Sequence, residues 1–515
     1  MNIPWLTLLV ALPWAGALLL AVLPPGNTMV LRFRALFFSL TTLAIAIPFA
    51  LKVDFPRGGF AWIEQRPWIE ALGVNYTMGI DGMSLLLVLL TGVVAPIVVL
   101  ASWNESRNQP RYLALVLFLQ GSALGVFLAL DFFLWFIFWE LSLVPAFFLI
   151  KSWGGPASSR AAVKFFVFTI AGSAFMLAGF AALYAATGTF DFVALGRMGR
   201  TGELASQLAT FAAGSPVSPR FFTAAVFVGV LLGLAVKVPL FPFHTWLPDA
   251  YAEAPTPVTI FLTAVMSKMG VYGFLRILWP MFPAEIQAAA PVLLVLALLG
   301  VVAGAFAALA QRDLKRMLAY SSVNHLSYCL LALFAVASST GLNRDAIDAA
   351  LGGAILQMVN HGISAAALFL MIGVLENRSG GLRGIGDFGG VRTAAPVFAG
   401  VTGIALFSSL GLPGLNGFVS EFLIFRGVFG LVPWAAAVAC LGLLATAVFL
   451  LTFYLKVFHG PRREGAPAFA DLTGRETLTV APLILLMFLL GLMPQLAMAF
   501  ANPVARQLGA WIATP

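Results

Sequence analysis

Charge is what this sequence has least of. Asp, Glu, Lys and Arg together make up 10% of its 515 residues, against about 25% in ordinary soluble domains. A water-exposed globule is excluded. Cysteine is nearly absent: Cys329 and Cys440 stand alone inside apolar segments, which rules out a Cys-ligated iron–sulfur cluster and any CxxC metal or redox motif. No P-loop occurs, and no GxGxxG lies between a strand and a helix, so those nucleotide cradles are missing. Around His325 and His361 the sequence offers no set of three or four ligands, Cys329 alone standing one turn from His325, which argues against a metal centre.

Apolar length is what the chain has in abundance. Hydrophobic residues make up 61% of it. They gather into fourteen runs, roughly 4–23, 35–51, 82–102, 112–129, 131–150, 161–186, 221–248, 256–277, 290–310, 314–336, 349–375, 395–430, 432–457 and 478–500. About 20 mostly apolar residues cross a bilayer as a helix, and backbone groups in lipid must bond within their own segment. The runs are too long and continuous for barrel strands. The sequence therefore predicts an all-α membrane protein of about 14 transmembrane helices, with residues 1–515 as a single polytopic membrane domain. No basic segment precedes the first run, which starts Met1-Asn2-Ile3-Pro4-Trp5, so 4–23 is expected to be a retained helix and not a cleaved signal peptide.

The net charge of +8 is unevenly shared between the two sides. Loops that follow odd-numbered spans carry nearly twice as many Lys and Arg as loops that follow even-numbered ones. The positive-inside rule then puts the odd loops in the cytoplasm and both termini outside. The clusters Arg312, Lys315, Arg316 and Arg462, Arg463 read as orientation signals and lipid-headgroup contacts, not as a nucleic-acid surface.

Two spans cannot be simple helices. The seventh contains Lys237-Val-Pro239-Leu-Phe-Pro242-Phe-His244-Thr-Trp-Leu-Pro248, and interior proline removes a backbone hydrogen bond and clashes with the preceding turn. The twelfth carries Gly411-Leu-Pro413-Gly414-Leu-Asn416-Gly417 and is too long for one straight crossing. Broken helices at matching places in two halves mark transport sites in inverted-repeat transporters. These two lie five spans apart, which fits inverted five-helix repeats with broken helices 7 and 12: helices 4–8 over 112–277 and helices 9–13 over 290–457.

Six ionisable side chains sit mid-span: Glu140, Lys237, Lys268, His325, His361 and Glu421. A charge at bilayer depth costs at least ~2.5 kcal/mol, so such residues rarely persist without a transport or proton-relay role. Both signs occur, with two imidazoles that titrate near neutral pH. That is the inventory of a proton path. Plainer alternatives stand beside it. Glu140 could be a protonated carboxyl bonded to a neighbouring helix. Lys237 and Lys268 could snorkel, although mid-span depth weighs against this. His325 and His361, taken singly, could be helix–helix hydrogen-bond partners. Glu421 follows the second break, where freed backbone groups can serve it. His244 and Lys164, near span ends, read as interfacial.

The motifs Phe138-Trp139-Glu140, Lys237 through Asp249, Glu253-Ala-Pro-Thr-Pro257 and Gly411 through Glu421-Phe422 together resemble the antiporter-like, proton-translocating subunits of NADH-quinone oxidoreductase (respiratory complex I). The resemblance runs over essentially the whole chain and is greatest to the subunit M (mitochondrial subunit 4) family. In that family the broken twelfth helix carries a glutamate, as at Glu421, where the L, N and antiporter D types place lysine. Type L is also expected to carry a long lateral helix, whereas this sequence runs only a little past span fourteen.

The resemblance implies a mechanism. Glu140 and Lys237 would form the carboxylate–lysine pair of an entry half-channel open to the cytoplasm. Lys268 would be the central relay, and His325 and His361 would carry the path to Glu421 and the exit. His244 and Asp249 match the family motif as well. No cofactor is expected on this chain; flavin, iron–sulfur clusters and quinone would belong to partner subunits. Those partners would be membrane-arm subunits of types L, N and K within a bacterial inner membrane, with no nucleic acid and no small-molecule substrate other than protons. A subunit of a multisubunit Na+/H+ antiporter or of a membrane-bound hydrogenase is the alternative. A scaffold that has lost pumping is a third reading, which the intact set of six charges opposes.

Overall fold

The computed structural model describes residues 3–22, 27–52, 59–214, 216–339, 343–461 and 469–513. Thirteen helices among them are long and apolar enough to cross a membrane, and a pair of shorter helices makes a fourteenth crossing. Spans 1 to 14 are, in order, Trp5–Val22, Thr28–Lys52, Gly82–Ala101, Gln109–Leu128, Phe132–Trp153, Ser158–Thr187, Pro219–Lys237 with Trp246–Glu253, Thr256–Met281, Pro283–Leu309, Leu314–Ser338, Arg344–Arg378, Pro396–Ser409 with Asn416–Leu431, Pro433–Phe458 and Gly474–Leu492. Spans 7 and 12 are broken, as their prolines and glycines demand. Capping side chains fix several starts: Asp81, Asp131, Asp313 and Thr473 accept hydrogen bonds from the first turns of spans 3, 5, 10 and 14, each worth about 1 kcal/mol.

The order of polarity is inside out. Span 9 is the most apolar of the thirteen long helices and half of it faces outward, whereas span 10 is the least apolar and almost wholly enclosed. Spans 8 and 11 are enclosed completely. Lipid tails are as apolar as leucine, so apolar burial does not hold such helices together; close packing of small residues and polar contacts do. Spans 6 and 7 meet in this way. A Cβ on Gly233 would lie 2.6 Å from the Met176 side chain, and one on Gly229 would lie 2.8 Å from the Phe175 carbonyl oxygen.

Several elements depart from the expected boundaries. The run 478–500 is divided at Met493-Pro494, where Met493 leaves helical geometry (φ −128°, ψ 59°), as the residue before a proline is biased to do. Span 14 ends at Leu492, and Gln495–Ala513 is a separate helix. This helix buries one stripe, Ala497, Ala501, Val504, Ala505 and Leu508, against spans 3 and 11. Between spans 2 and 3 the strands Ala61–Ile69 (β1) and Val74–Ile80 (β2) form an antiparallel hairpin; it turns at Gly73, whose φ of +59° suits glycine. Two short helices, Phe192–Arg200 and Glu203–Ala212, fill the connection from span 6 to span 7.

The loops after odd-numbered spans share one face, knitted by ion pairs. Arg383 reaches Asp313 at 3.2 Å, Lys315 reaches Glu376 at 3.7 Å, and Arg378 pairs with Glu476. Two of the expected headgroup contacts are therefore corrected. Lys315 is only 2% exposed and donates to the Ala254 carbonyl at 2.7 Å, while Arg316 pairs with Asp249 at 2.5 Å. Arg312 is exposed; Arg462 and Arg463 lie outside the described residues.

Candidate functional site

Span 5 carries Trp139 and Glu140 toward span 7. The Trp139 indole N–H donates to Ser173 Oγ on span 6 at 3.0 Å, which fixes the ring. Lys237 ends the first half of span 7, where the helix must stop before Pro239 and Pro242. The Trp246 indole N–H donates to the Val236 carbonyl at 3.0 Å and folds the second half back against the first. Lys237 is 2% exposed, and its ammonium lies over the Trp139 ring, 4.9 Å from the centroid. Neither its Nζ nor Glu140 Oε1 has a hydrogen-bond partner among the described residues. The expected Glu140–Lys237 pair is thus not a direct contact here: the lysine's near neighbour is the aromatic face of Trp139, a favourable place for a desolvated cation.

The other four residues form one assembly at the centre. Lys268 is fully enclosed, and its ammonium meets three acceptors: the Thr263 carbonyl at 2.6 Å, Ser267 Oγ at 3.3 Å and His361 Nδ1 at 2.8 Å. An ammonium has three donors, so the set is complete. The His361 ring stacks on His325 with centroids 5.3 Å apart. His325 Nδ1 faces the Ser321 carbonyl at 2.8 Å, and its Nε2 faces the Ser409 carbonyl at 3.1 Å and Glu421 Oε1 at 3.4 Å. A line of titratable groups therefore joins span 8 to spans 11, 10 and 12, and all four are at most 6% exposed.

The break in span 12 makes this possible. The Ser409 carbonyl, freed where the first half-helix ends, is the one His325 uses. Gly411 and Gly414 have φ of +77° and +95°, and a Cβ on Gly417 would fall 1.9 Å from the Ser408 carbonyl oxygen, so the two halves touch. Ser408 Oγ donates to Asn416 Oδ1 at 2.6 Å, Asn360 Nδ2 donates to the Asn416 carbonyl at 2.8 Å, and Ser420 Oγ donates to Gln357 Oε1 at 2.6 Å.

Sequence reasoning passed over this polar shell, although a signal was present. Gln357, Asn360, His361 and Ser364 recur at the spacing of one face of span 11. It also passed over span 8's geometry. Leu262–Met266 and Phe274–Leu278 are π-helical turns on either side of the Lys268 turn. Such turns are rare and gather at functional sites. In the first of them Lys268 Nζ donates to the Thr263 carbonyl and the Tyr251 hydroxyl to the Leu262 carbonyl.

Asp249, in the second half of span 7, accepts from Lys164 at 2.7 Å and from Arg316 at 2.5 Å. Lys164, expected to be merely interfacial, also donates to the Thr245 carbonyl at 2.7 Å and so pins the break. His244 stacks on Phe241 at 5.3 Å, away from the central line. No group of three or more His, Cys, Asp or Glu able to hold a metal ion occurs among the described residues.

The family profile described as "NADH:quinone oxidoreductase/Mrp antiporter, TM" matches residues 129–447, more than half the chain. The chain belongs to this family. A second profile, "NADH-ubiquinone oxidoreductase chain 4, amino terminus", matches residues 28–129. The chain is 36% identical to NADH-quinone oxidoreductase subunit M of Mycobacterium tuberculosis over 98% of its own length and 93% of the relative's. It is also 36% identical to F(420)H(2) dehydrogenase subunit M of Methanosarcina mazei, over 88% of each chain. Its structure superposes on a chain of respiratory complex I from Thermus thermophilus with a TM-score of 0.84 and 29% identity, covering 99% of this chain and 100% of that one. It is a multi-pass membrane protein of a family that works in multisubunit membrane assemblies.

Proposed function

We propose that the chain is the proton-translocating membrane subunit of an NADH-quinone oxidoreductase, a translocase that couples electron transfer from NADH to quinone to proton movement. The carrying observation is the enclosed line Lys268–His361–His325–Glu421. Flavin, iron–sulfur clusters and quinone belong to partner subunits, so this chain does no redox chemistry itself. Its partners are membrane-arm subunits of types L, N and K. It sits in a bacterial inner membrane, with odd loops cytoplasmic and both termini outside. Residues 112–277 and 290–457 act as two half-channels around broken helices 7 and 12.

In this reading protons enter at Glu140 and Lys237, pass to Lys268, and leave by Glu421. Proton transfer needs heavy atoms within about 2.6–3.2 Å or one bridging water. The Lys268–His361 step meets that distance. The two imidazoles, by contrast, are stacked with no direct hydrogen bond between them among the described residues, so a proton passes on only when a ring turns or a water bridges the two. That step serves as the gate. His325 has acceptors at both nitrogens and can hold a proton on either.

The test is Glu140→Gln in the assembled complex. Assembly and NADH oxidation should persist while pumping by this subunit stops; full pumping per electron pair would remove Glu140 from the path. Mass spectrometry of companions after gentle solubilisation separates the alternative. Flavin- and iron–sulfur-bearing quinone reductase subunits support the proposal. Small antiporter subunits alone would move the chain to sodium–proton exchange.

A further inference from the structure

The Lys268 turn, Ser267–Gly273, lies between two π-helical turns. A helical turn flanked in this way is not locked into one α-helical register at either end. Contacts from outside the helix must therefore set its rotation. On the side nearest the relay they are Lys268 with His361 at 2.8 Å, Thr263 with Ser322 at 3.0 Å and the Leu262 carbonyl with the Tyr251 hydroxyl at 3.0 Å. The other side holds a cluster that the proton path does not use.

Arg276 lies in the second π turn, 8% exposed within a completely enclosed span. It pairs with Asp81 at 2.5 Å, and the Asp81 side chain is wholly buried. Arg276 Nε donates to the Tyr272 hydroxyl at 3.2 Å. That hydroxyl donates to the Phe127 carbonyl at 3.1 Å and lies 3.3 Å from Ser84 Oγ. Asp81 caps span 3 by accepting from Ser84 N at 2.8 Å. The guanidinium also covers the Phe60 ring beside the hairpin, 4.6 Å from its centroid. Lys268, Tyr272 and Arg276 follow one another at single-turn intervals along span 8.

We infer that Arg276 is a positioning residue, which with Asp81 and Tyr272 clamps the far end of the Lys268 turn to spans 3 and 4 and thereby holds Lys268 Nζ against His361. The inference rests on the proposed proton translocation. A buried ion pair stripped of one partner leaves an uncompensated charge, whereas removing both charges together is often tolerated. The decisive variant is therefore R276M with D81N, because asparagine still caps the helix.

The complex carrying R276M/D81N, reconstituted in proteoliposomes, should assemble and oxidise NADH with quinone while losing this subunit's share of protons per electron pair. R276K, which keeps a cation opposite Asp81, should retain pumping. Wild-type pumping by R276M/D81N would overturn the inference and leave the pair merely structural. Should that double variant fail to assemble, Y272F decides: it keeps both charges and removes only the hydroxyl, so reduced pumping supports the clamp and unchanged pumping overturns it. K268M in parallel separates the two proposals. If K268M stops pumping and R276M/D81N does not, only the clamp falls. If K268M pumps fully, the proton-path reading falls with it.

Discussion

At the scale of residues, the central line depends on matching its enclosed ammonium to acceptors. The ammonium of Lys268 has three, so Lys268→Met leaves His361 Nδ1 without its donor, while the Thr263 carbonyl keeps Ser267 Oγ at 2.8 Å. Proton pumping, read by quenching of a pH-sensitive dye, should be lost, while NADH oxidation by an artificial acceptor persists. Asp249 makes a milder prediction. Both its partners are partly solvated. Asp249→Asn should therefore cost about 1 kcal/mol, measured as a small drop in melting temperature relative to the parent. Both effects follow from side chains that the sequence displayed openly. The pairing of Lys237 with the Trp139 ring did not, because a contact between spans 5 and 7 has no signature in either run alone.

At the scale of elements, the breaks in spans 7 and 12 could be read directly, since proline and positive-φ glycine act through local backbone sterics. The closeness of the two halves of span 12 is a tertiary fact with a sharp test. Gly417→Ala would set a methyl group 1.9 Å from the Ser408 carbonyl oxygen, and overpacking of this kind costs about 1–3 kcal/mol. Gly400→Ala meets nothing within 4 Å and should be neutral or slightly stabilising. Thermal unfolding of the two variants in detergent should separate them in that order. The π turns of span 8 escaped the sequence altogether: Thr256 to Met281 reads as an unbroken apolar helix, and nothing within that run marks where its hydrogen-bond ladder widens.

At the scale of the whole molecule, one face gathers the odd loops and their ion pairs, and the other gathers the hairpin, the short helices and the helix Gln495–Ala513. A cysteine placed at Arg392 should react with an impermeant maleimide from the cytoplasmic side alone, and one at Thr201 from the outer side alone. The reverse pattern would invert the proposed orientation. The terminal helix braces that second face: Trp279 donates to the Leu508 carbonyl at 3.0 Å and Arg200 covers the Trp511 ring, 4.2 Å from its centroid. Ending the chain at Pro494 should lower the melting temperature and release the outer ends of spans 3 and 11, measured by amide exchange there.

The sequence alone determined that the chain crosses a membrane as helices, which two helices break, and which six titratable groups lie at depth. Those properties follow from local hydropathy, proline sterics and the cost of burying charge, and each is read within one segment. Only the tertiary structure decided that Lys268, His361, His325 and Glu421 adjoin while Glu140 and Lys237 stand apart, that Lys315 is buried, and that Arg276 meets Asp81. Each of these joins residues far apart in the chain, and the rotation of one enclosed helix against another is set by packing that no single span contains.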